Sequence, residues 1–534
     1  MRKLLLNFFL ILSISLLIVN CANRGRPSGG EKDITPPEIT KSEPENFSLN
    51  FNEKEITVTF NEYIKIKNLQ KQLIISPPMD PEPSLSPQGS ASKEITIKIY
   101  DTLLPNTTYA FNFGESIVDN NEDNPYPFYK YVFSTGTYID SLSLKGTIVD
   151  ATNRKADEFV TIMLYEIDST FTDSIVYNKR PKYITNTLDS TTVFQVDNLK
   201  AGKYMMIALK DKNSNYTFQQ KEDKIGFLKN FITIPNDTIY ELKLFSEEIN
   251  FKATRPKLIS GQKIAFGYEG DFNGMEIKLL SNKPSGYEKL ITKDKEKDSL
   301  NYWFKPKLEV DSLLFLAGKN KDLDTLVVRI RDMEQDSLII SSEPKGTIGF
   351  NQDFSIQGSI PFVTMIEEKI TILDKDSTRV SFTSKLDTLN NQFNLQFEKI
   401  ESNNYKIQVL PDALTDFFGN KNDTLNYSIR TKGKLDYGNV RVYLKNVTYP
   451  AIVQLTDSNG EVKVELYATE PKPVDFFDVD PGQYFLRVVI DTNKNKKYDT
   501  GNYLQKIQPE RISHFPDALD IRSGFDEIIN FTLE

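Results

Sequence analysis

Cysteine, histidine and tryptophan each occur once in this chain of 534 residues, at Cys21, His514 and Trp303. A single cysteine excludes a disulfide framework and any two-thiol redox motif, and a single histidine excludes histidine-rich zinc sites and leaves little from which to build a Ser-His-Asp or Cys-His constellation. Of the common catalytic chemistries, only that of paired carboxylates stays open. No basic block is present either: the net charge is −9 and the pI is near 5.2. Sequence-independent nucleic-acid binding needs clustered Lys and Arg to displace counterions, so nucleic acid is excluded as a partner. A sustained helical period is also missing. Short apolar runs have room for a turn of helix, particularly from Lys65 to Leu73.

What is present begins with the N-terminus. Arg2 and Lys3 precede an apolar run from Leu4 to Val19, shorter than the roughly 20 residues a membrane-spanning helix needs. The run ends in Leu17-Ile18-Val19-Asn20-Cys21, which resembles the lipobox of a Bacteroidota lipoprotein signal peptide. That resemblance implies that residues 1–20 are removed and that Cys21, diacylated and palmitate-bearing, begins the mature protein and joins it to a membrane. It implies an outer membrane lipoprotein facing the periplasm or the cell surface. Residues 21–33, polar and glycine-rich, read as a tether.

The remaining 500 or so residues are too many for one core and predict several domains. Alternation with period two at Glu55–Phe60, Ile95–Tyr100 and Tyr109–Phe113 predicts strands, and the expected class is all-β. Val58-Thr59-Phe60-Asn61-Glu62-Tyr63, Leu104-Pro105-Asn106-Thr107-Thr108-Tyr109, Ile117-Val118-Asp119 and Val132-Phe133-Ser134-Thr135-Gly136 occur in an order that resembles the SbsA-type bacterial Ig-like domain, over residues 34–137. Residues 138–246, with Leu199-Lys200-Ala201-Gly202-Lys203-Tyr204 entering a strand expected to alternate, resemble the transthyretin-like or carboxypeptidase-regulatory-like sandwich. Residues 247–340 form a further β unit without a motif. Ala413–Asn420 and Tyr427–Thr431 parallel Ile117–Thr135, and Val479–Asp491 parallels Leu199–Asp211 without a gap. A second Ig-like domain is therefore expected at 341–432 and a second transthyretin-like domain at 433–534, the whole arranged as a rod or bent string of β modules.

Asp491, Asn493, Asn495 and Asp499 place oxygen-bearing side chains at positions 1, 3, 5 and 9 of a loop, as in the front half of an EF-hand, and predict a calcium site. Lys496 at position 6 and Asn502 at position 12 depart from that pattern. An Asn- and Asp-rich turn that needs no ion has the same composition. The counterpart loop from Asp211 has Gln219 where Asp499 stands and is expected to bind less well. Asp followed by Ser or Thr, then commonly by an aliphatic residue, resembles the O-glycosylation acceptor of exported Bacteroidota proteins. The candidate acceptors are Thr102, Ser141, Ser299, Ser312, Thr325, Ser337, Thr388 and Thr424. Tyr126, Phe128, Tyr129 and Tyr131 have the spacing of cross-strand core pairs more than that of a sugar-stacking platform.

These features predict a non-enzymatic, lipid-anchored cell-envelope protein whose sandwich modules act as spacer and interaction surface for an envelope protein or glycan. Two alternatives stand beside it. One is a carbohydrate-binding surface lipoprotein of a glycan-uptake system. The other is a carboxylate-dependent hydrolase, for which Glu367-Glu368 is an example of an acidic pair.

Overall fold

The structure, a computed structural model, describes residues 33–187 and 192–533. Cys21, its signal peptide and most of the tether lie outside the described residues. The fold is all-β, with two-sheet sandwich modules following one another along the chain.

In the first module, Ile56, Val58 and Phe60 alternate inward along Glu55–Ile66, and Ile56 and Val58 pair with Ile97 and Ile95 of Ser92–Lys98. This sheet faces a second one of Ile74–Ser76, Thr108–Asn112 and Lys130–Ser134. Phe51, Phe111 and Phe133 fill the space between them. The helical turn allowed for between Lys65 and Leu73 is a single turn, Leu69–Gln72.

The fourth module reproduces local devices of the first. The backbone N–H of Leu104 donates to the Tyr109 hydroxyl at 2.9 Å, and that of Ile400 to the Tyr405 hydroxyl at 2.8 Å. Thr135 and Thr431 donate their hydroxyls to the carbonyls of the same Leu104 and Ile400. Asp119 and Asp416 each end a short strand and gather the backbone N–H groups of the next few residues on one carboxylate.

The second and fifth modules share one strand order. In the second, Leu142–Asp150 lies between Val193–Leu199 and, in parallel, Ile239–Leu244. In the fifth, Gly438–Lys445 lies between Val474–Val479 and, again in parallel, Asp526–Thr532. The aligned tyrosines occupy the same corner: Tyr204 donates to the Lys200 carbonyl at 3.0 Å and Tyr484 to the Asp480 carbonyl at 2.9 Å. The third module packs Lys263–Glu269 and Ser299–Lys305 against Ser312–Lys319 around Phe266, Tyr302 and Phe315.

Two expectations need correction. The strand Gly202–Lys210 does not alternate, because Tyr204 through Leu209 are buried without a break. Both of its faces are covered, which is the arrangement a continuous apolar run signals. One face makes the module's own core, and the other carries Met205, Ile207 and Leu209 into a second cluster that includes Ile74 of the first module and Tyr503 of the fifth. Nor is the chain a rod. The third and fourth modules join through Trp303, Ile360 and Phe417, and the fourth meets the fifth through Phe350 against Tyr437 and a Lys432–Asp480 ion pair of 2.6 Å. Lys221 pairs with Glu269 between the second and third at 2.7 Å. With the fifth module returned onto the second, the last four modules form a closed circuit.

Candidate functional site

The Asp491 loop comes after the strand Gly482–Ile490, and it turns tightly because Lys494 and Lys496 adopt left-handed backbone angles of φ 64° and 63°. Asp491 is buried to 1 % exposure. Its carboxylate accepts the Tyr467 hydroxyl at 2.8 Å, the Lys496 N–H at 2.9 Å and the Asn495 N–H at 3.1 Å. Burial alone would raise this carboxyl, but the Tyr467 hydroxyl and the backbone N–H groups of Lys496, Asn495 and Lys494 outweigh it and hold it below the ordinary range.

Asn493 and Asn495 both turn their amides onto Asp499, the latter at 2.8 Å. All four sequence-predicted residues therefore meet at one loop. Glu510, which no local motif marked, closes the arrangement: it accepts the N–H and hydroxyl of Thr492, each at 2.6 Å, and the N–H of Asp499 at 3.2 Å. Among the described residues no group of three or more His, Cys, Asp or Glu side chains is placed to hold a metal. A cation here would draw half its ligands from amide oxygens.

The loop from Asp211 has the same frame. Ser214 and Tyr216 repeat the left-handed angles, the Tyr216 N–H returns to Asp211 at 2.7 Å, and Asp223 takes the place of Glu510 by accepting from Lys212 and Gln219. Gln219 replaces the Asp499 carboxylate and accepts from Asn213 at 2.7 Å.

Beyond these shared frames the two loops diverge. After Asp499 the chain forms a hairpin in which Asn502 and Ile507 exchange backbone hydrogen bonds of 2.8 and 2.9 Å, with Tyr503 at its tip. Tyr503 is fully buried in the second module. Its hydroxyl donates to the Asp173 carbonyl at 2.9 Å, and its ring packs edge-on against Phe227 with centroids 5.4 Å apart. Lys506 lies 4.0 Å over the same ring and pairs with Asp173 at 2.7 Å. Gln508 donates to the Phe227 carbonyl at 2.8 Å. Glu247 accepts the Tyr503 N–H, and burial pushes its carboxyl upward. Sequence reasoning missed this contact. Its signal was an aromatic-centred insertion between the calcium-type positions and the acid that closes the loop.

The candidate acceptors Thr102, Ser141, Ser312, Thr325, Ser337, Thr388 and Thr424 are exposed, whereas Ser299 is buried at the start of a strand. Tyr129 and Tyr131 are core residues and Phe128 is exposed, so the aromatic run forms no platform. Glu367 and Glu368 sit on an exposed 3-10 turn, where Glu367 accepts the Ser384 hydroxyl at 2.5 Å.

The molecule is thus a series of two-sheet β-sandwich modules. Residues 33–135 match the family of the bacterial Ig-like domain. Similar solved structures include domains 1–6 of the surface layer protein SbsC, with 10% identity, 91% of this chain and 67% of that one covered, and a TM-score of 0.17. The Bacillus anthracis TIE protein is 10% identical, with 95% and 76% covered and a TM-score of 0.14. The titin fragment I67–I69 is 12% identical, with 53% and 98% covered and a TM-score of 0.12. At such scores none of them bears on the arrangement or activity of this chain. No curated protein matches it.

Proposed function

We propose that this chain is a non-enzymatic, lipid-anchored envelope protein whose modules form a closed scaffold, serving as spacer and interaction surface. The observation that carries the reading is the insertion of Tyr503 into the second module, which ties the last four modules together. An articulated string would let its modules swing, as linker-joined domains do by default; this closure holds loop tips and sheet edges in fixed relation to the membrane tether. The second and fifth modules act as transthyretin-like sandwiches, and acylated Cys21 anchors the chain in the outer membrane. A calcium ion held by Asp491, Asn493, Asn495 and Asp499, with Glu510 behind them, stiffens the loop from which the Tyr503 hairpin springs. The exposed Asp-Ser and Asp-Thr sites carry sugars.

Intact and peptide mass spectrometry of the native protein from membranes tests the anchor: acylated Cys21 and hexose-bearing peptides are expected, and an N-terminus still carrying Met1 overturns the reading. Calcium should raise the melting temperature of the wild type and not of Asp499→Ala. An equal shift in both would remove the ion from the account.

A further inference from the structure

We infer that the cleft between the second and fifth modules binds a phosphorylated sugar. The site lies at the same interface between the two modules as the Tyr503 contact, and it rests on the closure described above. Arg487 crosses from the fifth module to donate to the Thr152 carbonyl at 3.2 Å. A Cβ added to Gly460 would lie 3.7 Å from the Asn153 side chain and 3.9 Å from Arg487, so the turns at 151–155 and 457–460 face each other closely. The space between them is a cleft of about 630 Å³, within the range of small-molecule sites.

Its walls are positive in a chain whose net charge is −9. Arg154 and Lys155 are exposed on the rim, and among the described residues neither makes an ion pair or a hydrogen bond. Arg487, half-buried, spends its other bond on Gln454 Oε1 at 2.7 Å and has no carboxylate partner. The Asp457 carboxylate on the wall is already engaged by Lys463 at 3.2 Å and by the N–H groups of Asn459 and Glu461. Asp150, behind the cleft, is paired with Lys224 at 2.7 Å.

His514 is the cross-strand partner of Arg487, and its Nε2 is buried without a hydrogen-bond partner. The groups that face the imidazole are Arg487, Arg154 and Asp150. Burial, then the two guanidinium groups, hold it below its ordinary value, so it is neutral at pH 7. Three unpaired cations and an imidazole with an unpartnered nitrogen match a phosphate monoester, which carries a charge of about −1.5 to −2 near neutral pH. Guanidinium groups recognise such oxygens in bidentate fashion. Half-buried Phe485 and Phe515 give an apolar wall for the sugar ring, and Ser458 offers a hydroxyl.

Calorimetry on the full mature chain with glucose 6-phosphate, inorganic phosphate and glucose tests the assignment. Glucose 6-phosphate should bind with Kd below about 1 mM and more tightly than inorganic phosphate, and glucose should not bind. The double variant Arg154→Ala/Lys155→Ala, altered only at exposed and unpartnered positions, should weaken binding by about tenfold or more, and added salt should weaken it further. Inorganic phosphate binding as tightly as the sugar phosphate, or unchanged affinity in the double variant, overturns the proposal. So does the absence of any heat while small-angle scattering shows the wild type closed. An open chain in that scattering measurement would instead count against the closed scaffold.

Discussion

Replacing Tyr503 with alanine removes the side chain that enters the second module from the fifth. An aromatic of this size buries about 150–250 Å², worth ~4–6 kcal/mol at ~25 cal/mol per Å². Losing the hydroxyl's bond to the Asp173 carbonyl adds about 1 kcal/mol. Partial collapse of Phe227, Tyr177 and Met205 into the space returns some of this, and truncations of buried aromatics typically cost ~3–5 kcal/mol. Each module keeps its own core, so the loss falls on closure rather than on folding. A penalty of ~3–5 kcal/mol raises the open population by about two to three and a half orders of magnitude. Hydrogen exchange reads this directly: amides of residues 498–508 and those around Phe227 should lose protection by at least about a hundredfold, while those of Lys263–Glu269 in the third module stay unchanged. Tyr503→Phe, which keeps the ring, should lose only about 0.5–1.5 kcal/mol, with up to ~3 if the Asp173 carbonyl stays dry. Protection in the alanine variant within about threefold of wild type would refute the argument that this side chain closes the molecule.

Glu247 gives the closure a pH dependence. Its carboxyl is raised above 4.5 by burial, so the favourable protonated form is fully present below 4.5 and its contribution is lost as the pH rises through the raised value. Glu247→Gln should therefore close more tightly than wild type at pH 7 and equally at pH 4; equal exchange protection at both would exclude this. The one tryptophan, Trp303, lies beside Phe417 at the joint of the third and fourth modules. Phe417→Ala should shift its emission to the red and cost ~3–5 kcal/mol of local stability, read by chemical denaturation; unchanged emission would show that the joint does not depend on Phe417. In the second module a Cβ on Gly146 would stand 2.4 Å from both the Phe194 ring and the Tyr240 carbonyl. Gly146→Ala should cost about 1–3 kcal/mol, and a melting temperature equal to wild type would show that the parallel strand Ile239–Leu244 gives way freely.

The strands of the first module were legible because one face of each is wet. Ile56, Val58 and Phe60 alternate with Glu55, Thr57 and Thr59, and a period of two is what a half-buried strand writes into a sequence. The Val479–Asp491 parallel to Leu199–Asp211 was legible because the Gly-aromatic entry and the Asp-x-Asn-x-Asn turn are set by local backbone geometry. Burial on both faces erases alternation, so Tyr204-Met205-Met206-Ile207-Ala208-Leu209 reported only that something apolar lay on each side. The sequence does not say which part of the chain that is. Glu510 was invisible for a related reason: it reaches the loop only after the hairpin, outside any contiguous spacing rule.

That hairpin explains how two copies of one module came to hold each other. In the second module the acid that closes the loop comes four residues after position 9, from Gln219 to Asp223, and the turn is short. In the fifth, Glu510 comes eleven after Asp499, while the hydrogen bonds at both ends of the loop keep the same pattern. The frame is shared between the copies and the added length leaves it as an excursion whose tip is Tyr503. Because Asp491 and Glu510 fix the base of the excursion from both sides, its tip is aimed before it meets its partner, and little ordering entropy remains to oppose docking. The receiving surface is the outer face of the homologous sheet, Met205 and Ile207, which would otherwise be exposed apolar surface. At the same interface Arg487 reaches Thr152 of the other copy. Both contacts form only when the two modules are closed on each other, so a cation bound at Asp491 and an anion bound beside His514 would act on one equilibrium and favour the same closed state.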